Sequence, residues 1–362
     1  MSFRHRHYVP CLRWKQGEYK AMSTLSGFAN KLITPLIEIP EKGFDFETRT
    51  DKKTIDEHLA PFAKRVAKNW GKHSCFIDLN LIQPGERMKN GVHPVTFVFD
   101  QLNTEGCVSI PVTGFSRDEK YQNAINHSVL KGGNGICIRI NLEEAADSNL
   151  KSSCVALLGK KISVDDCDLV LDLGAPPNFT PLEDLSQIIE NIIKELPYLE
   201  KWRTLTLLAS SFPESMGEIK SSQVTIPRNE WILYKLLVTN LAKAKIRIPT
   251  FGDYVISHPE VQQLDMRLLK PSGTIRYAID DAWLIMKGPN VRDYGYGQFL
   301  GHCQKVRLSP HYQGADFSVG DKYISDCADG NASTGNLSTW RWVGSNHHLE
   351  KVVRDVANFF AV

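Results

Sequence analysis

The sequence predicts an α/β protein built as a (β/α)8 TIM-like barrel, with a long insertion between the eighth strand and a C-terminal helix. Three observations predict it. Eight short apolar runs recur between residues 8 and 253, longer amphipathic stretches separate them, and a strongly patterned helix returns at 346–362 after a long gap. Strand and helix in alternation require crossover connections, and crossovers pair strands in parallel. Eight such units close a barrel, whereas an open doubly wound sheet more naturally stops at about five to seven strands. No GxGxxG follows the first run and no GxxxxGK[ST] occurs anywhere, so the usual signs of a Rossmann or P-loop domain are missing.

The strand runs are, in order, YVPCLRW (8–14), LITPLIEI (32–39), SCFIDLN (74–80), GCVSIPVTG (106–114), GICIRI (135–140), DLVLDLG (168–174), TLTLLASS (204–211) and IRIPTFGD (246–253). Helical patterns fall at 15–31, 54–70, around 92–103, and at 116–131, 142–161, 181–202 and 227–245. The clearest has Leu185, Ile188, Ile189, Ile192, Ile193 and Leu196 at steps of three and four, which makes one apolar face. Pro181 and Pro227 suit first-turn positions of their helices. Residues 1–254 would then hold the barrel strands, 255–343 an insertion capping the mouth, and 344–362 the helix that completes the ring, with a separate second domain as the alternative. Within the insertion, 272–288 reads as two strands around Asp280 and Asp281, and 317–344, rich in Gly, Ser and Asn, reads as loop.

Composition narrows the class. The chain of 362 residues is 42% apolar and 23% charged, the usage of an ordinary globular protein. A net charge of +2 leaves no global field for nucleic acid or an anionic membrane, so nucleic acid is the less favoured partner, although Arg4, Arg6, Arg13, Lys15 and Lys20 form a local basic run. No apolar stretch is long enough to span a membrane. The eight cysteines are scattered without CxxC spacing, which fits free thiols in a reducing, cytoplasmic setting.

Alternation along each strand, with the ends nearest the C-terminal face lining the mouth, singles out charged residues at one depth. Glu38, Asp78, Asp172 and Asp253 form the acidic set and are the candidate catalytic residues; Arg13, Lys15 and Arg139 supply positive charge. Asn80, Thr113, Asn141, Ser210 and Ser211 fall at the same level. Carboxylates crowded with cations shift one another's protonation and concentrate at functional sites. The competing reading is structural, with Asp172 paired to Arg139 as a barrel-core salt bridge. Two carboxylates could divide acid and base roles on a sugar, with Trp14, Trp340 and Trp342 as stacking surfaces. Alternatively, Arg13, Lys15 and Arg139 could hold a small anionic ligand such as a phosphate while Glu38 or Asp78 moves a proton. A divalent cation on Glu38, Asp78 and Asp172 is chemically reasonable, but no spacing specifies it and no cofactor is indicated. Neither HRH at 5–7 nor the pair at 347–348 is a zinc motif, no metal ligand set is assigned, and no GxSxG marks a serine nucleophile.

One stretch carries a resemblance. The opening Y-V-P-x-L-R-W-K-x-G-E-Y from Tyr8 to Tyr19, and the later W-x-x-x-G-x-N-H-H from Trp340 to His348, resemble the beta protein family, named for a protein of a T-even bacteriophage and found in bacteria. The likeness runs over essentially the whole chain. The resemblance implies a phage or bacterial protein associated with phage–host conflict, and supplies no catalytic assignment. It directs attention to Arg13, Trp14, Lys15 and Glu18 as substrate-binding candidates at the first βα loop. A non-catalytic alternative is a binding protein of such a conflict system, using an aromatic surface within 292–342 for a protein partner.

Overall fold

The structure is a computed structural model that describes residues 2–260, 265 and 268–361. Eight parallel strands close a barrel: β1 (Tyr8–Leu12), β2 (Leu36–Glu38), β3 (Cys75–Asp78), β4 (Ser109–Thr113), β5 (Ile136–Ile140), β6 (Cys167–Asp172), β7 (Thr204–Ala209) and β8 (Thr250–Asp253). Each pairs with the next in chain order, and β8 returns to β1. Every predicted run contains one of these strands. Nearly all their residues are buried, as expected where helices cover the outside and side chains fill the inside.

Helices follow the strands at the predicted places, for example Pro94–Thr104, Glu119–Gly132, Leu182–Glu195 and Asn229–Ala244. Two predicted helices are broken. The stretch 54–70 divides into Ile55–Leu59 and Phe62–Asn69, and 142–161 into Leu142–Ala145 and Leu150–Leu158. Pro227 closes a strand, Gln223–Pro227, so its fixed φ serves a strand end and the helix begins two residues later.

The chain divides into two compact units. The first is the barrel with residues 1–14, 34–209 and 230–253; the second holds 15–33, 210–229 and 254–362. In the second, the predicted hairpin forms from Ser272–Ala278 and Ala282–Asn290, and Gln223–Pro227 adds antiparallel to its second strand. Its core gathers Tyr277, Met286, Phe299, Trp340 and Val343. The loop reading of 317–344 is corrected: helices span Val319–Ala328 and Leu337–Phe359, the latter beginning nine residues before the predicted 346. Two of the polar residues that suggested a loop, Ser318 and Asn336, are helix caps. Ser318 Oγ accepts from Asp321 N at 3.0 Å, and Asn336 Oδ1 accepts from Thr339 N at 3.1 Å. The glycines there permit close packing: a Cβ on Gly320 would stand 2.5 Å from the Val343 carbonyl oxygen.

At the N-terminal ends of the strands, Arg203 clasps Asp168. Its Nε and Nη2 lie 3.1 and 2.5 Å from the two carboxylate oxygens, and its Nη1 donates to Asn134 O at 2.9 Å. Asp168 is fully buried, and burial pushes its carboxyl up despite Arg203 and Thr204. Arg203→Met would leave that carboxylate without its cation, so urea unfolding near neutral pH should show a loss of about 3–5 kcal/mol. The deficit should shrink on acidification, as the carboxyl takes up a proton.

Candidate functional site

Parallel strands bring residues at equivalent positions to one end of a barrel. Glu38, Asp78, Asp172 and Asp253 are each the last residue of their strand, and Arg139 is the last but one of β5. Glu38 and Asp78 face each other in register on β2 and β3. Arg13 follows β1 directly.

Arg139 is the hub. Its Nη1 donates to Glu38 Oε1 at 2.8 Å and to Asp78 Oδ2 at 2.9 Å, while Nη2 and Nε reach Asp172 Oδ2 at 2.7 and 2.9 Å. Carboxylates from β2, β3 and β6 thus share one guanidinium from β5. Arg13 Nε lies 3.5 Å from Glu38 Oε2. Arg117 Nη2 lies 3.4 Å from Asp78 Oδ2, and the same guanidinium donates to Asn80. Three arginines face three carboxylates, so the network is formally neutral. Glu38 and Asp78 are 4% and 0% exposed, which makes their pairing energetically necessary.

The remaining acceptor sites are partly filled by backbone. Asp78 Oδ1 accepts from Asn80 N and Asp172 Oδ1 from Gly174 N, both at 2.8 Å. Asp172, the acidic residue inside an apolar strand, is therefore held by its own turn on one oxygen and by Arg139 on the other. Glu38 differs: its Oε2 is buried and accepts no hydrogen bond among the described residues. Cys11 and Tyr121 sense the cluster. Burial, then the Glu38 charge, push the Cys11 thiol well up; burial, then Asp78, push the Tyr121 phenol up as well. Both stay neutral.

Other sequence-predicted residues are placed as follows. Asp253 accepts from the Tyr8 hydroxyl. Trp14 is buried, with a positive φ of 50°. Lys15 and Glu18 belong to the second unit, where the Lys15 N–H donates to Glu18 Oε2 at 3.3 Å and caps the helix Gln16–Ser23. Thr113 donates to Gln122 at 2.8 Å, and Asn141 caps Leu142–Ala145. Trp340 and Trp342 are buried; Trp340 stacks on Phe299 with centroids 4.5 Å apart. The exposed tryptophan surface expected within 292–342 is thus absent at these two rings, because they fill a core, although Tyr294 is exposed. Among the described residues no cluster of His, Cys, Asp and Glu has a metal-holding arrangement, and no helix is long and apolar enough to cross a membrane.

Sequence reasoning missed Arg117 and Tyr8. Arg117 lies four residues beyond β4, in a βα loop, and that placement is the signal that could have found it. Tyr8 sits at the start of β1, and only the register, with Pro10 opposite Asp253, brings its hydroxyl to that carboxylate.

Fold and site define a parallel (β/α)8 barrel that carries a buried charge network at the C-terminal ends of its strands. The chain belongs to the Beta protein family, whose model matches residues 8–354. No curated protein matches it. Among solved structures it is similar to a glycoside hydrolase family 5 enzyme from Prevotella bryantii B14, solved as a mutant with a xyloglucan tetradecasaccharide, at 9% identity and a TM-score of 0.37. That match covers 67% of this chain and 80% of the other.

Proposed function

We propose that the protein is a barrel-mouth enzyme that acts by acid/base chemistry on a phosphorylated small molecule or nucleotide. The observation that carries this reading is Glu38 Oε2, a buried carboxylate oxygen without a hydrogen bond among the described residues, 3.5 Å from Arg13 Nε. Buried polar atoms are normally satisfied, and an exception calls for a task. An oxygen in that condition suits a general base, which must be held near a substrate proton yet not be saturated. Asp78, between Arg139 and Arg117, is the proposed second acid/base group. Asp172 and Asp253 orient ligand hydroxyl groups, and Arg13 and Arg139 share the ligand's negative charge with the carboxylates.

The test is turnover of a panel of phosphorylated metabolites and nucleotides, followed by 31P NMR, with the full chain and with Glu38→Gln and Asp78→Asn. Conversion by the unaltered chain, reduced about 10²–10⁴-fold in either variant while circular dichroism stays unchanged, is the expected outcome. Equal conversion by Glu38→Gln would remove its role as base.

A further inference from the structure

The second unit contains two arginines that differ from those of the barrel. Arg13, Arg139 and Arg203 each meet a carboxylate, as does Arg228 through Asp355 at 3.0 Å. Arg276 and Arg341 meet none among the described residues. Instead they converge on two consecutive residues: Arg341 Nη1 donates to Ser257 Oγ at 2.6 Å, and Arg276 Nη1 reaches the Ile256 carbonyl at 3.5 Å. Arg276 Nε is shielded from solvent and has no acceptor among the described residues. The Arg276 guanidinium also lies 5.3 Å from the centroid of the Phe212 ring.

The surroundings are built to hold this pair. Arg341 passes over Gly17, where a Cβ would stand 2.5 Å from its Cγ. Gly344 lets the long C-terminal helix approach the hairpin, since a Cβ there would stand 2.9 Å from the Arg276 carbonyl oxygen. These glycines belong to the two stretches, near residues 8–19 and 340–348, that stand out in the sequence. Ser257 is fixed from below by Ser210, whose hydroxyl donates to the Ser257 carbonyl at 3.2 Å. Accepting from Arg341 leaves the Ser257 hydroxyl proton available as a donor.

Two guanidiniums close together without an anion repel each other. Burial, and next the Arg341 charge, push Arg276 down to about 9. A dianion relieves both effects. We propose that Arg276, Arg341 and Ser257 form a binding site for the phosphate group of a small phosphate monoester. Guanidinium donors favour phosphate through paired, planar hydrogen bonds; the Nε–H of Arg276 is an unused donor of one cation, and the Ser257 hydroxyl adds a neutral donor beside the two charges. The site goes beyond the acid/base reading, because it binds phosphate whether or not the barrel carboxylates do chemistry.

Isothermal titration of the full chain with inorganic phosphate, a nucleoside monophosphate, a sugar phosphate and malonate tests the assignment. Saturable binding of phosphate or either monoester is expected, with preference for a monoester showing that the group arrives on a larger molecule. Arg276→Gln and Arg341→Gln should each weaken it at least about tenfold, Arg276→Lys by less, and Lys322→Ala, which removes an exposed cation of the same unit, should leave it unchanged. Wild-type affinity in Arg341→Gln, no phosphate binding to the unaltered chain, or tighter binding of malonate would each overturn the proposal. Loss in Arg13→Gln equal to that in Arg341→Gln would overturn it too, by moving the anion to the barrel. Should Arg276→Gln fail to fold, Arg341→Gln and Ser257→Ala decide alone.

Discussion

Arg139→Met should lower the unfolding free energy by about 3–5 kcal/mol and abolish turnover in the 31P assay. The physical reason is that one guanidinium satisfies three carboxylates, at 2.8, 2.9 and 2.7 Å. Removing it leaves Glu38 and Asp78 buried beside each other in register, answered among the described residues by Arg13 and Arg117 at 3.5 and 3.4 Å. Like charges so placed repel one another where little solvent screens them, and that repulsion is the source of the lost stability. Arg139→Lys should recover part of the stability, since the charge returns, but a single ammonium cannot reproduce the fork that spans β2, β3 and β6. Urea unfolding of the three proteins at one pH gives the order: unaltered, Lys, Met.

His347→Ala and Asp321→Asn should each destabilise the second unit by about 3–5 kcal/mol. His347 Nε2 lies 2.7 Å from the Ala278 carbonyl oxygen, which can only accept, so that nitrogen carries a proton. Its Nδ1 lies 2.8 Å from Asp321 Oδ2, and the ring stacks on Tyr277 at 3.7 Å. Asp321 also accepts from Tyr277 at 2.7 Å and Ser318 at 2.5 Å. Burial opposes the Asp321 charge, but His347, Ser318 and Tyr277 outweigh it and hold the carboxyl below its usual range. A depressed carboxyl contributes stability that is present above the unfolded-state value of about 3.9 and lost as pH falls through the folded value. The gap between the unaltered chain and Asp321→Asn should therefore be widest near neutrality and close progressively below about pH 4. Urea midpoints across that range read it directly.

The strands were legible because burial on both faces forces an unbroken apolar run, as in CFID of β3 or ICIRI of β5. Charges inside such runs then stand out, and Glu38, Asp78, Arg139 and Asp172 are recoverable from position alone. What escaped depends on chain-distant partners. Glu38 and Arg139 are 101 residues apart, and the Tyr8–Asp253 contact spans 245, so only closure of the barrel brings them together. Arg276 and Arg341 sit in a hairpin strand and a helix that sequence pattern gives no reason to associate. Ser318 and Asn336 misled for a different cause: the residues that terminate turns are also those that start helices. The histidine pair at 347–348 is no zinc motif; His347 instead bridges Asp321 and the Ala278 carbonyl, and the neighbouring Asn346 Oδ1 accepts from Gly320 N at 2.8 Å.

The whole account rests on side chains from separate strands acting as one centre around Arg139. A double-mutant cycle on Arg139→Met and Asp172→Asn, read by urea unfolding, probes that most directly. Coupling above about 1 kcal/mol is expected for groups sharing a network. Losses that add within about 0.3–0.5 kcal/mol would mean that the two residues stand independently, and that no common centre exists at the strand ends.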